Sequence, residues 1–302
     1  MITRVFMKKL AKEILRKIIP KRMIQIWKKY FFLKKKFLKK RRFLNLELHL
    51  ADHCNLSCKG CSHFSPLAKE KFIDINVFRR DCKRIADLTD HHVERIRFMG
   101  GEPLLDQNKI DVLNIARENF PDTSLSLVTN GILLPQQTNE FWKTCQQKNI
   151  QIEISNYPVK INRKKINILS TEHHVKVVWL NTNVKLHWWK MKLDVNGFQD
   201  KNKNFRFCLQ SNYNTNLYEG KLYPCPTIAY IHHLNHYFDE KFVVTENDYI
   251  DIYQAKSIDE IHDYLSKPVP FCKYCNIKKQ EIIEWGVSKK ERNEWIDEQS
   301  IL

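Results

Sequence analysis

ELHLADHCNLSCKGCSHFSPLA, residues 47–68, runs from an alternating apolar segment into a loop that carries Cys54, Cys58 and Cys61. Three thiols this close in sequence suit a shared metal centre. A closed zinc site wants four ligands, commonly two cysteine pairs, and the loop offers His63 for the fourth place. A four-iron cluster also needs one ligand per iron, so three cysteines leave one iron open to bind something else. The C-x3-C-x2-C spacing by itself leaves both readings standing.

Outward from this loop the chain alternates between strand and helix patterns. FLNLELHL predicts a strand that ends at the cysteines, and NVFRRDCKRIADL a helix with Phe78, Cys82, Ile85 and Leu88 on one face. VERIRFM with QNKIDVLNIAREN, then SLSLVTNG with NEFWKTCQQKN, repeat the unit, and IQIEISN and VKVVWLN follow as later strands. Such alternation implies an α/β fold with right-handed crossovers, its parallel sheet closed or nearly closed into a barrel. Chemistry in a barrel of this kind sits at the carboxyl ends of the strands. That is where Gly100-Gly101-Glu102-Pro103, Thr129-Asn130-Gly131 and Ser155-Asn156 fall. With only 7 glycines in the chain, a Gly-Gly pair at a strand end points to close approach of backbone to a ligand. Cys82 and Cys145 sit on amphipathic helix faces and read as core residues.

The 302 residues, 43% of them apolar, are enough for a sizeable core. Apolar runs are short, as in YFFL at residues 30–33, which predicts neither a membrane span nor a secretory signal. Nine cysteines in clusters suit metal ligation in a reducing cytosol better than a disulfide framework. The net charge of +17 is concentrated at one end: residues 1–42 hold 17 Lys or Arg and one acid, Glu13, while the rest of the chain is nearly balanced. Leu10, Ile14, Leu15, Ile18 and Ile19 recur at helical spacing before Pro20, and Ile24, Trp27, Tyr30 and Phe31 continue after it. Two short basic amphipathic helices suit an anionic membrane surface, at the inner face of the membrane. A partner-docking or nucleic-acid arm is the alternative.

The cysteine loop after the first strand and GGEP after the second resemble the radical S-adenosylmethionine (SAM) superfamily over roughly residues 45–285. The resemblance implies a partial (β/α)6 TIM-like barrel in which Cys54, Cys58 and Cys61 hold a 4Fe-4S cluster and SAM chelates its open iron. It further implies that Gly100, Gly101 and Glu102 meet the methionyl amino group, with Ser155 and Asn130 as further SAM contacts. Many members carry an aromatic residue just before the third cysteine, where this chain has Gly60; Phe64 is the substitute expected near the adenine.

Cys208, Cys225, Cys272 and Cys275 make four more ligands outside the barrel, enough to close a cluster or a zinc site. NTNLYEGKLYPCP reads as a β-hairpin turning at Glu219-Gly220. This C-x16-C-x46-C-x2-C arrangement is similar to the twitch domain, a short relative of the SPASM domain, and especially to its aminocyclitol dehydrogenase branch. The implied organisation is a basic arm (1–42), a barrel core (43–200) and a C-terminal domain of hairpin and helix holding an auxiliary 4Fe-4S cluster (201–302). A fully ligated second cluster implies electron transfer, hence oxidation of a sugar, cyclitol or other polar alcohol, free or linked to a lipid or nucleotide. The reductant implied is an external one-electron carrier of flavodoxin or ferredoxin type. The loop and the SKKERNEWI tail also resemble a bacterial group associated with surface-polysaccharide loci. A peptide-modifying maturase and an RNA-modifying enzyme using residues 1–42 on phosphates are the alternatives. His187, His232, His233, His236 and Arg206 are substrate-contact candidates that serve equally well as core or surface residues.

Overall fold

The computed structural model of the chain describes residues 44–180, 187–208, 210–211 and 214–298, without the side chains of 187–189. The basic arm, residues 1–42, and the side chain of His187 therefore lie outside the described residues.

Four strand-to-helix units and a fifth strand carry the first half. Strands β1 (Asn45–Ala51), β2 (Arg95–Gly100), β3 (Ser124–Thr129), β4 (Ile150–Ser155) and β5 (Val177–Leu180) alternate with helices α1 (Ile75–Thr89), α2 (Lys109–Asn119), α3 (Asn139–Gln147) and α4 (Arg163–Glu172). Capping side chains start three of these helices: Asp74 accepts from Asn76 and Val77 N–H, Thr138 from Phe141, and Asn162 from Lys165. Neighbouring strands from β1 to β5 are all parallel. Their outer faces bury Leu46, Leu48, Leu50, Ile96, Phe98, Leu125, Leu127, Ile152 and Ile154 against Phe78, Cys82, Ile85, Val112, Trp142 and Cys145 of the helices. Each such aliphatic side chain contributes about 1.5–3 kcal/mol by leaving water. Cys82 and Cys145 are core residues, as their helix faces imply.

The opposite face of the same strands is polar, because the residues between the apolar ones are Glu47, His49, Arg95, Arg97, Ser126 and Glu153. Arg97 bridges two acids there, donating to Glu47 Oε1 at 2.6 Å and to Glu153 Oε2 at 3.3 Å. Arg95 pairs with Glu153 from the other side. Burial raises the Glu47 pKa against the pull of Arg97.

The later elements extend this sheet. β6 (His187–Lys190), α5 (Lys201–Phe207), β7 (Thr215–Tyr218), β8 (Lys221–Tyr223), α6 (Pro226–Phe238), β9 (Ile250–Asp251), α7 (Ile258–Leu265) and β10 (Glu281–Glu284) follow in order. The hairpin turns at Glu219 and Gly220, both at positive φ, as a tight primed turn requires. β7 lies parallel beside β1, which gives the order β5-β4-β3-β2-β1-β7-β8-β9. The result is a mixed α/β fold with a parallel-rich partial barrel, open between β5 and β9. Among the described residues the sheet does not close, and β6 pairs antiparallel with β10 in a separate two-stranded sheet. A second apolar cluster, with Phe64, Tyr230, Phe271 and Trp295 at its centre, fills the space around α6 and the last cysteines. Among the described residues no helix is long and apolar enough to cross a membrane.

Candidate metal centres

The loop after β1 is held from both sides. On the barrel side, Gly101 N–H donates to Ala51 O at 2.8 Å and Glu102 N–H to His53 O at 3.1 Å, which locks the end of β2 onto the start of the cysteine loop. A Cβ on Gly100 would stand 2.3 Å from Ala51 O, and one on Gly101 2.0 Å from His53 O. The Gly-Gly pair thus serves a close approach, but to the protein's own backbone.

Glu102 is fully buried and ties two strand ends together. Its carboxylate accepts from Leu104 N–H at 3.1 Å, Thr129 Oγ1 at 2.6 Å and Asn130 N–H at 2.9 Å. Burial raises its pKa to about 7 in spite of these three donors. Asn130 in turn donates to Asn55 Oδ1 at 2.7 Å, with the same amide 3.9 Å from Cys54 Sγ. Ser155 ends β4 half-buried, its carbonyl accepting from Tyr157 N–H at 2.8 Å. Burial first, and then the three thiols of the loop, raise the Tyr157 hydroxyl well above its ordinary pKa.

On the other side, residues 285–296 enclose the loop. Lys59 N–H donates to Gly286 O and Ser288 N–H to Ser57 O, both at 2.8 Å. Trp285 Nε1 donates to Cys58 Sγ at 3.2 Å, and Trp295 Nε1 to Cys61 O at 2.9 Å. Gly60, at φ +63°, lies under Lys190, Ile283 and Glu294, which fill the place that an aromatic residue there would take.

Phe64 has a different position from the one expected. Only 1% exposed, it presents no free face to an adenine and packs in the C-terminal apolar cluster. It lines a cavity together with Cys208, Cys225, Cys272 and Cys275, so the four remaining thiols share one enclosed space. Cys208 follows α5, Cys225 caps the start of α6, and Cys272 lies within a 3-10 turn (Pro270–Tyr274) that Cys275 ends. Asn204 of α5 fixes that turn by donating to Cys272 O at 2.7 Å and to Cys275 O.

The chemistry of both donor sets fits metal ligation. Burial pushes the Cys58 thiol up to about 12 and those of Cys225 and Cys275 well above their usual value. Such thiols are not poised nucleophiles; they lose their protons to a metal. Lys190 lies between the groups: burial lowers its pKa to about 7 while Cys61 opposes that shift, and Lys190 in turn opposes the rise at Cys275.

Sequence reasoning missed Tyr157, Lys190, Trp285 and Trp295, which carry no spacing signal and meet the cysteines only through the fold. It also passed over the inward charges Glu47, Arg97 and Glu153, although their period-2 placement was readable. His233 and His232 stand on α6 against Asp52, in a group that includes none of the seven cysteines.

Residues 44–167 match the family of 4Fe-4S single cluster domains. The chain is similar to the GTP 3′,8-cyclase of Photorhabdus laumondii subsp. laumondii, 30% identical over 105 residues, covering 34% of this chain and 31% of that protein. It is equally similar to the GTP 3′,8-cyclase of Pectobacterium atrosepticum, at 30% over 105 residues, 33% of this chain and 31% of that protein. The match thus spans about a third of the length of these curated relatives. Among solved structures, BtrN in complex with AdoMet and 2-DOIA superposes with a TM-score of 0.51 at 18% identity, covering 85% of this chain and 99% of that one, a likeness of fold. C-x3-C-x2-C at the end of the first parallel strand and GGEP locked against it from the second both lie within the stretch that matches the 4Fe-4S family, and this combination supports a radical SAM reading.

Proposed function

We propose that this radical SAM enzyme oxidises a polar alcohol, a sugar or cyclitol free or carried on a lipid or nucleotide, with one 4Fe-4S cluster on Cys54, Cys58 and Cys61 and a second on Cys208, Cys225, Cys272 and Cys275. The observation that carries the reading is the second group: four thiols on three separate elements line a single cavity behind the first loop. When bound, the first cluster with SAM supplies a hydrogen-abstracting radical, and the second an acceptor for the electron left on the oxidised carbon. BtrN, whose fold this chain shares, is named with AdoMet and the small molecule 2-DOIA, which is in keeping with a small-molecule substrate.

The chain's own residues have distinct tasks. Gly100, Gly101 and Glu102 hold the β2 end against the cysteine loop, and Glu102 Oε2, with one internal donor, keeps a lone pair for the SAM ammonium. Asn130 and Ser155 stand at the neighbouring strand ends. Tyr157 and Trp285, with ring centroids 6.2 Å apart, supply the aromatic surface beside the thiols that Gly60 and Phe64 do not. The inward face suits a polyol: among the described residues, buried Glu47 Oε2 and Arg97 Nε have no hydrogen-bond partner.

Anaerobically reconstituted protein should hold about eight irons. With a substrate deuterated at the carbinol carbon, it should move deuterium into 5′-deoxyadenosine and release an equimolar ketone, SAM being consumed. Cys54→Ala should stop SAM cleavage, whereas Cys272→Ala should keep cleavage and lose the ketone. Four irons with stoichiometric zinc, regenerated SAM, or a product carrying a solvent hydrogen at that carbon would each overturn the oxidation.

A further inference from the structure

A third cluster of ligating side chains contains no cysteine of either group. Asp52 ends the β1 segment at 3% exposure, and His233 faces it from α6 at 8%. Asp52 Oδ2 and His233 Nε2 stand 3.3 Å apart as a buried pair, and among the described residues neither atom has a further hydrogen-bond partner. One ligand atom each of Asp52, His233 and His232 falls within 4.8 Å of the other two.

The shortest of these separations suits a shared cation. With metal–nitrogen and metal–oxygen bonds of about 2.0–2.2 Å, tetrahedral ligand atoms stand about 3.4 Å apart. The 3.3 Å gap between Oδ2 and Nε2 is one such edge. The support behind the carboxylate is also in place. Asp52 Oδ1 is 3.0 Å from His49 Nδ1, and His49 Nε2 is 2.7 Å from His63 Nδ1. With protons on the two Nδ1 atoms, His63 donates to His49 and His49 to Asp52, which leaves Oδ2 turned to α6. The His49 ring is fixed by stacking on Tyr230, at 3.5 Å between centroids and 3° between planes. This is the orienting shell that ligating carboxylates and imidazoles require. The neighbouring cation, Lys71, is engaged elsewhere, by Tyr218 Oη at 2.5 Å and Glu219 Oε1 at 2.7 Å. His232 is the exposed member and offers a route in.

We propose that Asp52, His232 and His233 bind one divalent transition-metal cation of the zinc class, with a fourth position open to an oxygen ligand. Two imidazoles and a carboxylate suit such a cation better than calcium or magnesium, and three protein ligands leave one position open. The site uses none of the seven clustered cysteines, so it stands or falls independently of the oxidation reading.

The test is an anaerobic Zn2+ titration of the cluster-loaded protein against a chromogenic chelator, with zinc and iron counted per chain. Wild type should bind one zinc beyond its clusters. His232→Gln should weaken it at least tenfold, and the double variant His232→Gln with His233→Gln should lose it, iron content being unchanged. Wild-type protein that binds no zinc, or His232→Gln that binds it equally well, would show a plain buried ion pair and overturn the proposal. Should the double variant lose iron, the exposed-residue variant His232→Gln decides alone.

Discussion

Lys190 Nζ donates to Gly60 O at 3.0 Å from a side chain only 6% exposed, with Cys61 to one side and Cys275 to the other. A buried cation in this place favours added negative charge at both centres. Lys190→Met should therefore lower both midpoint potentials by tens of millivolts, measured by redox titration followed by electron paramagnetic resonance. Unchanged potentials at both centres would refute the placement.

Trp285 acts on one centre alone. Its indole N–H reaches Cys58 Sγ at 3.2 Å, and hydrogen bonds to cluster sulfurs tune the potential. Trp285→Phe, which keeps the ring and removes the donor, should make the first centre harder to reduce and leave the second unmoved. An equal shift at both would point to a general loosening of residues 285–296.

Glu102 and Lys190 give the metal-free chain a pH profile of stability. The Glu102 pKa rises from 4.5 to about 7 on folding, so between these values the folded state binds more protons and stability falls as pH rises. The cost is on the order of 3 kcal/mol. Lys190 falls from 10.5 to about 7, so the unfolded state binds more protons above pH 7 and stability recovers as pH rises further. Denaturant titrations across pH 4.5–9 should show a minimum near neutrality. Glu102→Gln should flatten the acid side only, and Lys190→Met the alkaline side only.

The basic arm is tested by deletion. Residues 1–42 carry 17 basic side chains and one acid, each basic residue adding about 1 kcal/mol near an anionic surface. Protein lacking them should lose binding to phosphatidylserine-containing vesicles and retain SAM cleavage. Equal vesicle binding, or retention on RNA that weakens steeply with salt, would assign the arm elsewhere.

What could be read from the sequence follows range. The strand and helix units and the Glu219-Gly220 turn are set by residues a few positions apart, and they stand where the local pattern puts them. The open edge of the sheet could not be read, because β6 meets β10 across some ninety residues with no local signal. Gly100 and Gly101 were noticed for the right reason, a close approach, but the partner is Ala51 and His53 backbone brought in by the fold. Phe64 follows three cysteines and looks available to a ligand there. Its burial under Trp295 and Phe271 is decided by the far end of the chain.

The clasp on the cysteine loop has a consequence for biosynthesis. Gly60 N–H is held by Glu294, and Cys61 O by Trp295, each contact spanning 234 residues. On a ribosome, the three thiols emerge long before the side chains that enclose them. The nascent chain thus presents an open, accessible cysteine loop throughout most of its synthesis, and the enclosure forms only when residues 285–296 arrive. Cluster delivery can precede that closing, and a premature stop before Trp285 would leave a barrel whose first centre stays exposed to oxygen.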